Sequence, residues 1–599
     1  VLTAEEPAPV ITAEQLANQA DEQRAMPAPI TGEDRIYRPR LEDVRPSSFQ
    51  EVTPGRTQVA QMRQLLGDPV DQRRKDQRSV YTYRIGPFEK VEIAVVEELV
   101  SSVTLYLDRP TPLPQIVAEL GLDVFSPVTV EDEVGNRLGL SYPERGVTLS
   151  TLDDQRRVAR IVLDPILPEP FVLRAEQDRG RRYREQLADL DFAIATHASA
   201  ARPHGLKAER LSSLGRLDEA LTEIEVAIRL DPEHSAYRVT RARLLFEQLA
   251  YTEAVQELED LLDDEAIPPE VRARAECCLG DMLATGPHQD AERAMQHHMK
   301  VIKLATPLGT DRRVRLRREA KRVLIDAYLG AARNVAAGNW RRKESTIPKW
   351  LESAQKLAEG MRLHDAGDET LRFHVLSKSI AAYAELAGDV DVDAPIDVAV
   401  QEAKRLMAET SDPLYRIRLR REMGHLLFDA ALYEMVRSPA DVARERANAA
   451  IAVWDELHSA GDTTLRDESL MGRLYFYVGS TYAVHGQDHH EAARWYERAL
   501  PHLNRTAPTM PSQESAYHGE RLVSMGVSYW QVEAESEAIK LTEAGLEMMQ
   551  AAAHHEILEP RALSVPYGNL ASMYEAQGDA EKARKMAVLA SKVQHTSTH

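Results

Sequence analysis

Residues 214–232 read LGRLDEALTEIEVAIRLDP. With the residues just before them they set Ala208, Leu211, Gly215, Ala220, Ile224, Ala227 and Pro232 in a fixed register. Small residues alternate with bulky ones at helical spacing on both sides of Gly215, and the proline closes the run. That is the signature of two short helices joined by a tight turn. Ala242, Leu245, Ala254, Leu258 and Leu261 repeat the offsets, and 242 − 208 gives a period of 34 residues.

The same text returns near the C-terminus. Val478, Gly479, Tyr482, Gly486, Ala492, Tyr496 and Ala499 form one unit, with one residue inserted in its turn. Met525, Gly526, Tyr529, Ala538 and Gly545 form the next. Leu570, Ala571, Tyr574, Gly578, Ala583, Ala587 and Ala590 form the last. Further hairpins fit around Gly280, Ala331, Ala381 and Gly424, so roughly nine are expected. The steps from Gly479 to Gly526 (47) and from Gly526 to Ala571 (45) imply longer helices or loops late in the chain, and residues 339–349 read as an inserted loop. One hairpin cannot bury its own apolar face, so stability must come from stacking. The helix Lys582–Lys592, with a polar tail, suits the terminal cap.

This pattern resembles the tetratricopeptide repeat family. The resemblance implies a mainly α fold: an α-solenoid over residues 202–599, with the first helix of each pair lining a concave face that binds other protein. By the family pattern the groove positions fall on Arg202, Glu209, Arg243, Phe246, Glu247, Arg274, Arg473, Phe476, Trp530 and Glu575, although each is also a candidate for simple helix packing. Arginine and aromatic side chains suit interface centres. The Lys and Asn set with which some members grip a terminal carboxylate is not in register, so a C-terminal peptide is not the expected ligand.

Residues 1–52 are rich in Pro, Glu, Ala and Gln and read as an extended, partly disordered arm with one short helix over 13–25. Residues 53–167 read as a helix followed by three strands, twice. Thr57 to Leu66 leads into strands at Val80–Ile85, Val91–Val96 and Val100–Leu107. Leu113 to Leu120 leads into Leu138–Tyr142, Gly146–Leu152 and Val158–Leu163. The run Thr53-Pro-Gly-Arg-Thr57, Val59, Leu65 to Pro69 and Val80-Tyr-Thr-Tyr83 resembles the small envelope lipoproteins that assist outer-membrane assembly, and the tandem form resembles the β-lactamase-inhibitor-protein fold. This implies an extracytoplasmic binding module; Val1, in place of a lipidated Cys, departs from that family. Residues 168–201 read as one connecting helix.

The chain has 599 residues, 74 Lys and Arg against 95 Asp and Glu, and a formal charge of −21. A field of that sign repels nucleic acid and anionic membrane. No window approaches the ~18 to 20 apolar residues of a membrane span. Cys277 and Cys278 are the sole cysteines and, being adjacent, supply no disulfide framework. Val1 fits either a trimmed terminus or a processed, exported protein; periplasmic or extracellular location is expected, with cytoplasm the alternative.

Arg312, Arg313, Arg315, Arg317, Arg318, Lys321 and Arg322 form a basic run that reads either as a locally paired helix face or as a dock for an acidic partner. His485 and His489 with Glu491 are a weak metal candidate without HExxH spacing, and the two cysteines read as packing. No phosphate-binding loop, dinucleotide fingerprint or G-x-S-x-G elbow occurs. The expectation is a non-catalytic scaffold of the bacterial envelope, without cofactor, metal or small-molecule substrate, that binds protein and includes itself among its partners. The alternatives are an adaptor for one unrelated protein and, behind it, an enzyme accessory subunit.

Overall fold

Alternating apolar residues in the N-terminal part build an eight-stranded antiparallel sheet, beside which Val10–Ile11 pairs in parallel with Ser48–Phe49. The computed structural model describes residues 10–11, 41–75, 77–152, 155–177, 182–286, 289–364, 370–385, 393–437 and 439–595. The chain divides into two units, Val1–Lys207 with Arg312–Arg315, and Ala208–Asp311 with Leu316–His599. The short helix expected over residues 13–25 lies outside the described residues.

In the first unit α1 (Val59–Leu66) precedes β1 (Asp71–Lys75), β2 (Arg78–Tyr83), β3 (Phe88–Val96) and β4 (Leu99–Pro112). Then α2 (Leu113–Glu119) precedes β5 (Val128–Glu131), β6 (Arg137–Tyr142), β7 (Val147–Thr151) and β8 (Arg157–Leu163). The strand order is β1-β2-β3-β4-β8-β7-β6-β5. The last strands of the two copies meet at the centre, with Leu105 opposite Ile161 and Val103 opposite Leu163. Each copy is therefore a helix and four strands, not three. The sequence DQRRK of β1 has no apolar alternation because Asp71 to Arg74 are all exposed, as suits an edge strand. β5 is only four residues long.

Met62 of α1 and Ile116 of α2 pack with Tyr81, Ile93, Val103, Leu105, Leu149 and Ile161. Phe49 and Val52, assigned by sequence to the arm, are fully buried in this core. Phe49 stands edge-on to Phe88 at 5.7 Å. The backbone N–H groups of Arg45 and Ser47 bond the carbonyls of Glu144 and Arg145, each at 2.9 Å. A buried phenylalanine is worth about 1.5–3 kcal/mol, which ties residues 44–52 to the sheet unit.

The connecting segment is two helices, α3 (Pro168–Gln177) and α4 (Tyr183–Thr196), which share Phe171, Val172, Ala175, Leu190 and Ala193. Arg174 joins them. Its Nη2 lies 2.6 Å from both Glu144 Oε1 and Asp189 Oδ1, and its Nη1 donates to the Ser126 carbonyl at 2.5 Å. Gln177 uses both ends of its amide on β5: Oε1 accepts from Thr129 N at 3.0 Å and Nε2 donates to Thr129 O at 2.5 Å.

Among the described residues nine helix pairs follow, a tetratricopeptide-type α-solenoid: α5 (Ala201–Ser213) with α6 (Leu217–Leu230), α7 (Ala236–Glu247) with α8 (Tyr251–Leu262), α9 (Pro269–Thr285) with α10 (Ala291–Leu308), α11 (Val314–Ala337) with α12 (Lys343–His364), α13 (Thr370–Glu385) with α14 (Asp393–Glu409), α15 (Pro413–Arg437) with α16 (Ala440–Ser459), α17 (Leu465–His485) with α18 (His489–Arg505), α19 (Gln513–Gln531) with α20 (Glu535–His554), and α21 (Ser564–Ala576) with α22 (Ala580–His595). Most of the loop expected at 339–349 is the start of α12; only residues 338–342 connect the helices.

The small residues do what their spacing implies. A Cβ built on Gly424 would lie 2.3 Å from the Trp454 ring, and one on Gly479 2.5 Å from Tyr496. In each pair the first helix yields a side chain's width to a large group of the second. The hairpin turns share one geometry but not one residue. Gly215, Leu249, Glu533 and Gly578 occupy the same turn position with φ of 77°, 65°, 62° and 81°. The N–H of the next residue reaches back to a carbonyl five residues earlier, as from Ala534 to Tyr529 at 3.0 Å and from Asp579 to Tyr574 at 2.9 Å, a Schellman closure.

Candidate functional site

Within the second unit, residues more than two hundred positions apart touch. Arg466 at the start of α17 donates to Glu247 at the end of α7 at 2.5 Å, and Arg421 of α15 reaches the Ser213 carbonyl of α5 at 3.5 Å. Hairpin 2 thus meets hairpin 7, and hairpin 1 meets hairpin 6. The stack turns back on itself at these two contacts. Arg466 and Glu247 still keep 27% and 28% of their side-chain surface accessible, so water reaches the interior.

Charged groups from successive first helices pair along the inner surface. Glu209 of α5 accepts from Arg274 of α9 at 3.1 Å. Burial alone would raise the Glu209 carboxyl, but Arg274, Arg243 and Arg210 outweigh it and hold it down to about 2. His374 of α13 bridges Asp326 of α11 at 3.0 Å and Glu422 of α15 at 3.2 Å. Burial works against its charge, yet the two carboxylates raise it to about 9. Asp467 of α17 accepts from Arg421 at 2.9 Å and from His425 at 2.7 Å, and forms a capping box with Thr464. Those partners overcome its burial and keep it well below the carboxylate range.

The cation-rich part of the surface is a cradle of Arg466, Arg473 and Arg521. Arg466 lies 5.2 Å from the Phe246 ring and holds Glu247. Arg521 donates to Glu514 at 2.7 Å. Arg473 makes no ion pair among the described residues: it lies 5.5 Å from the Phe428 ring, and its Nε is buried without an acceptor. The Arg473 and Arg521 guanidinium groups lie beside the Tyr477 phenol. Burial would raise that phenol; the two guanidinium groups win and lower it. Burial, and then Arg521, push His518 down to about 4. The carboxylates of Glu247, Glu514, Asp429 and Asp467 and the Tyr477 phenol surround these three guanidinium groups, so charges of both signs are interleaved here.

Of the groove positions read from sequence, Glu209, Arg243 and Arg274 form one group, while Glu247 and Arg473 belong to the cradle. Phe246 is buried beneath Arg466, against Tyr251 at 5.0 Å. Phe476 is buried and stacks on Tyr496 at 5.7 Å, so it packs the hairpin. Arg202 belongs to the first unit, where Glu169 and Glu176 hold it. Trp530 is half-buried and Glu575 exposed; neither joins the cradle. Arg421, Arg466, Arg521, Tyr477 and His374 escaped the sequence reading. The basic run is not one patch. Arg312, Arg313 and Arg315 fall in the first unit, where Arg315 pairs with Glu176 at 2.9 Å. Arg317 bonds the Asp311 carbonyl at 2.9 Å, while Arg318, Lys321 and Arg322 follow on α11, half-buried.

His489 Nδ1 meets Ser528 at 3.1 Å, and His485 and Glu491 do not join it in a ligand group. Among the described residues Cys277, Asp281 and His298 do form such a group. No helix among the described residues is long and apolar enough to cross a membrane.

No protein-family model matches this chain, and no curated protein matches it. Among solved structures, a monomeric mutant of IFIT1 with Gppp-AAAA aligns over 69% of this chain and 87% of that one at 14% identity and a TM-score of 0.36. The human IFIT1 dimer with m7Gppp-AAAA aligns over 72% of each chain at 10% identity and a TM-score of 0.29. Likeness at that level transfers no ligand to this chain.

Proposed function

We propose that this chain is a non-catalytic protein-interaction scaffold of the bacterial cell envelope that takes an acidic segment of a partner protein along the inner face of its solenoid. The carrying observation is the cradle of Arg466, Arg473 and Arg521. Two of its guanidinium groups bond the chain's own Glu247 and Glu514, and the third, Arg473, makes no direct ion pair among the described residues, although Glu514 and Asp429 act on it from nearby. A glutamate or aspartate from a partner supplies the missing group with charge-assisted hydrogen bonds. Tyr251, half-buried, offers apolar surface beside it. The intervening carboxylates suit a chain that can space its charges, as a peptide can, better than closely spaced phosphates.

The non-catalytic part of the reading is supported by what the inner histidines hold. His374 and His425 are committed to carboxylates on neighbouring helices, contacts that fasten hairpins together. The envelope placement rests on the resemblance of residues 53–167 to the small envelope lipoproteins, and cell fractionation tests it.

A photo-cross-linking residue at Tyr477, compared with one at the exposed Gln256 of α8, tests the inner-face reading in cells of the native source. Capture of a partner from Tyr477 and not from Gln256 is expected; capture from Gln256 alone overturns it. A second reading, association of copies of this chain, is favoured by its exposed acidic run of Glu253, Asp260, Asp263, Asp264 and Glu265, which is complementary to the cradle. Light scattering with and without residues 1–40 tests it, and a monomer in both cases ends it.

A further inference from the structure

Away from the cradle, α9, α10 and α11 bring three different ligand chemistries to one point. Cys277 and Asp281 stand one helical turn apart on α9, and His298 projects from α10. One ligand atom from each lies within 4.8 Å of the others. His298 is fully buried. It is admitted by two missing side chains: a Cβ on Gly280 would lie 2.8 Å from its Nε2, and one on Gly330 2.4 Å from its Cε1. Its Nδ1 meets the buried amide of Asn334 at 2.8 Å, and its Nε2 faces Asp281 at 3.2 Å.

The thiol of Cys277 is a free cysteine, 6% exposed, and makes no hydrogen bond among the described residues. It is a polarizable donor enclosed in protein and aimed at the group. Asp281 is 58% exposed on the other side, so the point is open to water through the carboxylate.

We infer that Cys277, Asp281 and His298 bind one divalent ion of the zinc class, with Asn334 as the positioning residue for the imidazole. The donor set decides the class. Thiolate with imidazole and carboxylate selects zinc over magnesium or calcium, which take oxygen alone. Three protein ligands with a water-facing side leave a fourth position for solvent. Tetrahedral bonds of about 2.0–2.3 Å set ligand atoms about 3.5 Å apart. The His298–Asp281 separation already fits, and Cys277 closes the remainder by a small rotation.

Protons balance simply. The ion displaces the thiol proton to solvent, giving one thiolate–metal bond and one H⁺ per ion. The imidazole proton resides on Nδ1, where the Asn334 amide, turned end for end, presents its oxygen as acceptor. A metal-bound histidine commonly has such an outer partner. The inference is independent of the cradle and of what it binds.

The full chain, stripped with chelator and dialysed, is titrated with zinc chloride and, separately, with cobalt(II) chloride. One equivalent per chain is expected, with release of one proton and a near-ultraviolet thiolate-to-cobalt band. Cys277→Ser should abolish that band. Asn334→Ala should weaken binding about ten- to hundredfold. Asp281→Asn, at an exposed position that leaves folding intact, should weaken it too and keeps the test decisive if Cys277→Ser does not fold. Absence of a stoichiometric equivalent, a cobalt spectrum without the thiolate band, or uptake unchanged in Asp281→Asn would overturn the inference. The last outcome would assign the metal to surface histidines, of which a chain with 19 histidines has many.

Discussion

Replacing Arg174 by Met keeps most of its volume and removes its charge. The guanidinium is 13% exposed, and its partners Glu144 and Asp189 are 2% and 9% exposed, so the change leaves two carboxylates buried with no cation between them. Breaking such a pair from one side costs about 3–5 kcal/mol, a large share of the ~5–15 kcal/mol that holds a domain. The loss should depend on pH. Burial already raises Asp189 to about 6 with Arg174 in place, above its ordinary 3.8. A carboxyl raised in the folded state binds protons better than in the unfolded chain, so its protonation stabilises the fold at low pH, and that help fades as pH rises through the folded value. Without Arg174 the folded value climbs further. The deficit of the variant should be largest near pH 8 and clearly smaller near pH 5.

All five tryptophans, Trp340, Trp350, Trp454, Trp495 and Trp530, lie in the second unit. Their fluorescence in urea is a built-in control. The effect itself is read by hydrogen exchange of β4 and β8 amides. A loss under about 1 kcal/mol at pH 8, or an equal loss at both pH values, would refute the electrostatic account.

Gly424→Ala should cost about 1–3 kcal/mol by thermal unfolding because its Cβ meets Trp454, whereas Gly568→Ala, in a helix with nothing within 4 Å of the new carbon, should be neutral or gain up to about 1 kcal/mol. Glu533→Gly should stabilise and Gly578→Ala destabilise, each by up to about 1 kcal/mol in urea melts, since both positions hold φ near +60° to +80°. The His374 bridge is complete below the unfolded histidine value of 6.5 and is lost as pH rises through about 9; exchange protection of α11, α13 and α15 should fall across that window, and His374→Gln should remove the dependence.

The hairpins were legible because their packing is local. Gly424 and Gly479 each admit a large residue, Trp454 and Tyr496, from the second helix of their own hairpin, so both halves of the contact stand close together in the chain. The apolar strands were legible for the same reason. β1 was not, because an edge strand solvated on both faces carries no alternation. The turns at Leu249 and Glu533 were hidden too, since a Schellman closure tolerates a left-handed non-glycine residue at modest cost. The inner surface was half legible. Glu209, Arg243, Glu247 and Arg274 follow from repeat register, but Arg466 and Arg421 matter because the stack turns back on itself. Contact between residues two hundred positions apart leaves no mark on either neighbourhood. Arg202 misled because register alone cannot tell which unit a helix's first turn joins.

The Gln177 amide on Thr129 has a further consequence. By taking the N–H and C=O that β5 would offer to a newcomer, it imitates a ninth strand one residue long and terminates the ladder there. The opposite border, Asp71 to Arg74, presents charge to any approaching backbone. A sheet sealed at one rim and guarded at the other resists lengthening by recruitment of foreign chains, so the protein can be present at high concentration without seeding fibrils from this module.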